Sequence, residues 1–267
     1  MADERNRLRT TFDEAALLYN EVRPGYPEEL FDDVVSLSGI PSGGRILEIG
    51  CGTGQATVSL AHRGYRILCI ELGENMAALA RRNLRMYPQV RVRTGAFEEW
   101  PLQEEAFDLA ISATAFHWLD PAVAYPKVAK ALVPEGAISL FWNVHVHSDA
   151  SEGFFEAAQE VYEREAPEIV GPEDYKGPPL PADVPDRMGE IQNTGLFGEV
   201  VTRNYQWDVP YDAESYLRVL NTYSGHRSLR DDRRERLFRG IVDLIDSEYG
   251  GRIVKGYLTT LYVAHRK

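Results

Sequence analysis

A chain of 267 residues with 44% hydrophobic and 26% charged residues has an ordinary globular composition, with enough apolar material for one large core. Acids outnumber bases by 41 to 29, and the resulting formal charge of −12 disfavours nucleic acid and anionic membrane surfaces as partners. The two cysteines, Cys51 and Cys69, are too few for a disulfide framework and read as buried thiols of a cytoplasmic protein; the charged start MADERNRLRT is not a signal peptide, and no apolar run reaches the length of a membrane span.

In chain order, residues 13–20 and 28–38 carry apolar side chains at helical spacing, and RPGYP separates the two helices. Strands and helices then alternate. RILEI (45–49) is a strand and 55–63 a helix; YRILCIE (65–71) is a strand and 74–86 a helix; VRVRT (90–94) and FDLAISA (107–113) are strands, 121–132 is a helix and AISLFWNV (137–144) a strand. That alternation predicts a parallel sheet with helices on both faces. A helix at 152–165 leads into APEIVGPEDYKGPPLPADVP, whose six prolines rule out a regular element and predict a lid or a spacer. A strand at 199–209, helices at 213–221 and 229–248, and a last strand at 256–265 predict an antiparallel addition to the sheet edge.

The motif RILEIGCGTGQA places Gly50, Gly52 and Gly54 where the first strand turns into a helix. Glycine there permits positive φ and a close approach of ligand to backbone, at the strand ends where open parallel sheets bind ligands. Glu71 closes the second strand and suits the two hydroxyls of a ribose. A dinucleotide fingerprint, G-x-G-x-x-G, needs a further glycine where the sequence has Gln55 or Thr57. Glu48, just before the glycines, repels phosphate but suits an amino group. S-adenosylmethionine, with a ribose, an ammonium and no phosphate, meets these requirements. The rival readings are a nicotinamide-dependent oxidoreductase and a non-catalytic module that binds S-adenosylmethionine.

ILEIGCGTG, the IE that ends the second strand, and FDLAISATAFHWLD resemble class I S-adenosylmethionine-dependent methyltransferases. YNEVRPGYPEEL and TGLFGEV are similar to segments of the small-molecule enzymes of the ubiquinone-biosynthesis and trans-aconitate type. The resemblance implies an α/β, Rossmann-like, doubly wound seven-stranded sheet, mostly parallel, with an antiparallel C-terminal hairpin and helical lid or cap elements. It implies one methyltransferase domain over 1–267: a helical lid (1–40), a cofactor-binding core (41–146), a substrate-side helical cap (150–195 and 210–250) and C-terminal strands (196–209 and 256–265). The expected activity is methyl transfer to an O, N or carboxyl nucleophile of a small molecule, leaving S-adenosylhomocysteine.

In that frame the glycine loop holds the cofactor, Glu71 its ribose and Glu48 its ammonium. Ala96 stands where the family often carries a polar acid, so adenine contact falls to the backbone and ring of Phe97, with Glu98 as a substitute acceptor. Ala113 and Thr114 line the methionine end. Tyr19 and Arg23 lie over the cofactor as a lid, Arg23 pairing with a carboxylate. His117 and Trp118 face the acceptor, and in TYSGHRSLR the residues Tyr223, His226, Arg227 and Arg230 form a basic cluster suited to an anionic one. His117, Tyr223 and His226 are the candidate catalytic groups, and Trp118 and Arg227 the candidate substrate contacts. His145 and His147 share a strand face near Asp149, but no metal is expected.

Overall fold

The computed structural model describes residue 13 and residues 16–170 and 177–267. The charged start, part of the first expected helix and the middle of the proline-rich segment lie outside the described residues.

The core is a seven-stranded sheet in the order β3-β2-β1-β4-β5-β7-β6. Its strands are β1 (Arg45–Ile49), β2 (Arg66–Glu71), β3 (Val90–Thr94), β4 (Phe107–Ala113), β5 (Leu132–Val146), β6 (Val201–Asp212) and β7 (Arg252–His265). β1 to β5 pair in parallel, and β7 inserts antiparallel between β5 and β6. β1 pairs with β2 on one side and β4 on the other, so the chain order reverses at β1. That reversal opens a crevice at the strands' carboxyl ends.

Ten helices flank or cap the sheet among the described residues: α1 (Ala16–Val22), α2 (Glu28–Ser38), α3 (Gln55–His62), α4 (Glu74–Asn83), α5 (Pro121–Ala131), α6 (Phe154–Glu165), α7 (Met188–Gln192), α8 (Ala213–Leu220), α9 (Ser224–Ser228) and α10 (Asp231–Glu248). Their starts follow local chemistry. Pro121 opens α5 without losing a hydrogen bond, and the Asp120 side chain caps it by accepting from Ala122 N at 3.0 Å. Asp212 caps α8 in the same way, accepting from Ser215 N at 2.8 Å.

Two apolar layers cover the sheet faces. On one, Phe31 of α2 meets Phe141 of β5 edge to face, and Tyr26 meets Phe141 at 5.0 Å between centroids. The other layer joins β4, β5 and α5, and it takes in Ile191 of α7. A third cluster unites α6, α8 and α10 with the ends of β6 and β7, and Val22 of α1 packs against it. Thus α1 leans on the cap that the last third of the chain builds, and both overhang the carboxyl ends of the strands.

The last strands are longer than expected. β7 begins at Arg252 rather than 256, because β6 extends its ladder through the polar stretch before Gly256, while its pairing with β5 ends at Gly256. The expected helix at 229–248 is α10, from Asp231, and a short helix, α9, precedes it; Leu229 and Arg230 separate the two.

Candidate functional site

The glycine loop adopts the conformations its composition allows. Gly50, Gly52 and Gly54 have φ of 69°, 56° and 92°, the left-handed region that other residues avoid. Their reasons differ. A Cβ on Gly50 would lie 2.6 Å from Ala115 Cβ, and one on Gly54 would lie 3.0 Å from Leu84. A Cβ on Gly52 would meet nothing within 4 Å, because this glycine borders a cavity. Gly54 serves instead as the N-cap of α3, off the cavity wall.

Glu71 ties two loops together. Its Oε2 accepts from Gly52 N at 2.8 Å and its Oε1 from Gly73 N at 2.9 Å. Each oxygen keeps a lone pair for a further donor. Burial raises its carboxyl above the usual range, and the two backbone donors oppose that shift. Asp13 braces the same corner, accepting from Met76 N at 2.9 Å.

The cavity so formed runs from Glu71 and Met76, past Phe97, to Thr114, His117 and Trp118, beneath Tyr19 and Arg23. It therefore brings together ten of the residues singled out in the sequence: Tyr19, Arg23, Gly50, Gly52, Glu71, Phe97, Ala113, Thr114, His117 and Trp118. Phe97 is buried and stacks on Trp100 at 6.4 Å. Ala96 and Glu98 are off this wall; the Ala96 carbonyl accepts from Trp100 N and the Glu98 carbonyl from Lys127 Nζ.

Glu48 is fully buried behind the loop and does not line the cavity. Its Oε1 has no hydrogen-bond partner, and burial pushes its carboxyl up to about 7. His117 Nδ1 accepts from Trp142 Nε1 at 3.0 Å. Burial, with the Arg187 charge, holds the ring near a pKa of about 4. A neutral ring with Nδ1 already accepting keeps its hydrogen on Nε2, so it faces the cavity as a donor without a free basic nitrogen.

A second cavity of about 350 Å³ adjoins the first and shares Tyr19, Arg23 and Thr114 with it. Thr114 holds a φ of 53°, strained for a β-branched residue, and its Oγ1 lies 2.9 Å from Tyr26 Oη. Strain at a wall common to both cavities marks a position fixed by its surroundings. The remaining walls include Asn143, His145, Tyr223, Lys255 and Tyr257. Lys255 Nζ donates to Tyr223 Oη at 3.0 Å, and the Arg23 guanidinium lies 4.4 Å from the Tyr223 ring centroid. Burial raises the Tyr223 phenol, but the Lys255 and Arg23 charges outweigh burial and leave it below its usual value.

His226 and Arg227 reach neither cavity. His226 Nε2 lies 2.8 Å from Tyr162 Oη, and burial pushes the ring down to about 4. His145 lines the second cavity, whereas His147 sits in a separate surface cleft with its Nε2 3.3 Å from Asp149 Oδ1. Sequence reasoning missed Lys255, Tyr257, Asn143 and Asp13. For Lys255 the signal was present, a lone lysine inside the apolar run IVKGYLTT.

Comparison with known proteins agrees with this geometry. Residues 47–140 match the family model of a methyltransferase domain. An uncharacterized methyltransferase of Mycobacterium tuberculosis is 34% identical over 143 residues, which is 54% of this chain and 56% of the relative. The match thus spans about half the length of that curated relative. Among solved structures, a putative type II methyltransferase from Anaeromyxobacter dehalogenans has a TM-score of 0.61 at 20% identity, covering 91% of this chain and 97% of its own. Phosphoethanolamine N-methyltransferase 2 of Haemonchus contortus, solved with phosphomonomethylethanolamine and S-adenosylhomocysteine, has a TM-score of 0.54 at 16% identity, covering 95% of this chain and 57% of its own. These structures share the fold. Among the described residues, no helix is long and apolar enough to cross a membrane.

Proposed function

For a chain whose residues 47–140 match the methyltransferase domain family and whose seven-stranded sheet has the Rossmann-like methyltransferase fold, we propose methyl transfer from S-adenosylmethionine to a small-molecule acceptor. The observation that carries this reading is the pair of cavities with one wall in common. One is bounded by the glycine loop and Glu71, and the other opens on the far side of Tyr19, Arg23 and Thr114.

The residues of the first cavity fit the cofactor. The spare lone pairs of Glu71 suit ribose hydroxyls, and Gly52 leaves open space beside them. Phe97 offers an apolar surface to the adenine. Tyr19 and Thr114 lie toward the methionine end, and Arg23 suits its carboxylate. Glu48, off the wall, acts through the loop it backs. The buried carboxyl at Glu48 and the absence of a third fingerprint glycine argue against a pyrophosphate in the same place.

When bound, S-adenosylmethionine supplies a methyl group on a sulfonium, already a strong electrophile, and leaves as S-adenosylhomocysteine. The protein's contribution is therefore chiefly alignment and exclusion of water. Arg23 and Thr114 fix the boundary across which the acceptor atom faces the methyl group. His117, Trp118 and Leu119 close the cavity on the side away from Glu71. Of the three groups read as catalytic, Tyr223 is the one that contacts an acceptor in the second cavity, and His117 donates from Nε2 rather than accepting a proton.

The test is direct. The full chain with S-adenosylmethionine and a panel of small acids, phenols and amines is expected to release S-adenosylhomocysteine with at least one acceptor. Tight cofactor binding with no turnover on any of them would leave a binding module instead of an enzyme.

A further inference from the structure

Resting on the two-cavity reading above, we propose that the second cavity anchors its acceptor through a carboxylate held by Lys255, with the methyl-accepting atom at the wall of Arg23 and Thr114.

Lys255 lies near the start of β7 and is only 4% exposed. Its charge has no carboxylate within ion-pair distance among the described residues; its nitrogen meets Tyr223 Oη at 3.0 Å and the rings of Tyr223, Tyr257 and Phe155. An ammonium has three donors, and one is spent on Tyr223. A lone buried charge is costly unless a counter-charge meets it. The second cation of the cavity, Arg23, lies 4.4 Å from the ring centroid of the same phenol, and its Nε donates to Thr222 Oγ1 at 2.8 Å. Among the described residues no Asp or Glu lines this cavity, in a chain whose formal charge is −12. The cavity is therefore a positive enclosure inside an acidic protein.

His145 adds a second, independent feature. Its Nε2 is buried with no hydrogen-bond partner, and burial beside Lys255 keeps the ring neutral. It supplies a polar contact to an oxygen of the bound acid. The volume, about 350 Å³, matches the lower part of the range for small-molecule sites, about 300–1,000 Å³. With Arg23 assigned to the cofactor carboxylate, a monoanion balances Lys255, whereas a phosphate dianion would exceed it. Lys255 is absent from the wall of the cofactor cavity while Arg23 and Thr114 form part of it, so the anchor and the reacting atom lie at opposite ends of the acceptor.

The experiment is calorimetry on the full chain saturated with S-adenosylhomocysteine. The probes are benzoate, phenylacetate and hexanoate, each against its primary amide, with phenyl phosphate as a further arm. At least one acid is expected to bind at least about thirtyfold more tightly than its amide, and Lys255→Met to remove that preference. Lys255→Arg is expected to keep part of it. S-adenosylhomocysteine affinity should stay at the wild-type level in both variants, which also reports that they fold. Without acid, Lys255→Met should melt no lower than the wild type, because it removes an uncompensated buried charge. Equal binding of acids and amides, no acid binding at millimolar concentration, a preference for phenyl phosphate, or an acid preference surviving Lys255→Met would each overturn the proposal. Failure of S-adenosylhomocysteine to bind would instead defeat the methyltransferase reading itself.

Discussion

Glu71 carries two jobs in one carboxylate. It pins the loops at Gly52 and Gly73, and its remaining lone pairs face the cavity. Glu71→Ala is therefore expected to weaken S-adenosylmethionine binding by on the order of 100-fold, as measured by calorimetry. Glu48 behaves differently. Its folded carboxyl titrates near 7, above the ordinary carboxylate range, so the folded state holds the proton more tightly than the unfolded chain. Its contribution is fully present below the unfolded pKa and is lost as pH rises toward 7. Glu48→Gln should thus stabilise the protein at pH 8, by at most about 3 kcal/mol, and should gain nothing at pH 4, in urea titrations at both values. His117 separates alignment from base catalysis. If the ring only donates, His117→Ala should lower kcat by less than about tenfold, whereas loss of a general base would cost about 100-fold or more. The same change strips Trp142 Nε1 of its acceptor, so a loss of about 1–3 kcal/mol in stability should accompany it.

At the scale of elements, the loop between β1 and α3 has to stay bare. Gly52→Val would place a branched side chain in the open space beside Glu71 at a φ of 56°, and it is expected to abolish cofactor binding while the chain still folds, by circular dichroism. The strands of the parallel half were legible because each is a short apolar run bounded by turn residues, and β1, β3 and β4 have the bounds their sequences predict. The start of β7 was not, because Arg252 and Lys255 interrupt the apolar pattern and only pairing with β6 makes them strand. The site divides in the same way. The glycines and Glu71 are local in sequence and could be read from spacing. Lys255, His145 and Tyr223 meet only because β7 inserts beside β5 and the cap brings α9 over both, a long-range arrangement that no local pattern encodes. For the same reason His226, close to Tyr223 in sequence, meets Tyr162 of the cap instead, and neither it nor Arg227 lines the cavity.

Across the whole molecule, three desolvated imidazoles, none of them fully buried, set an acid limit. His117 and His226 are pushed down to about 4 and His145 to about 2, each chiefly by burial. The unfolded chain binds protons at these sites from about pH 6.5 downward while the folded chain does not, so stability falls as pH drops from 6.5 toward 4. Between about pH 4.5 and 6.5 these three groups oppose the raised carboxyls of Glu48 and Glu71, and the melting temperature is expected to rise with pH across that window. The acidic surface sets a second global property. An anionic acceptor approaches against a formal charge of −12, so its association rate should rise as salt screens that field, which stopped-flow binding at low and physiological ionic strength would show. The whole account depends on what the first cavity holds. Titration calorimetry of the purified full chain with S-adenosylmethionine, and separately with a nicotinamide dinucleotide, tests it most directly: saturable heat with the first and none with the second is expected, and the reverse pattern would contradict the account.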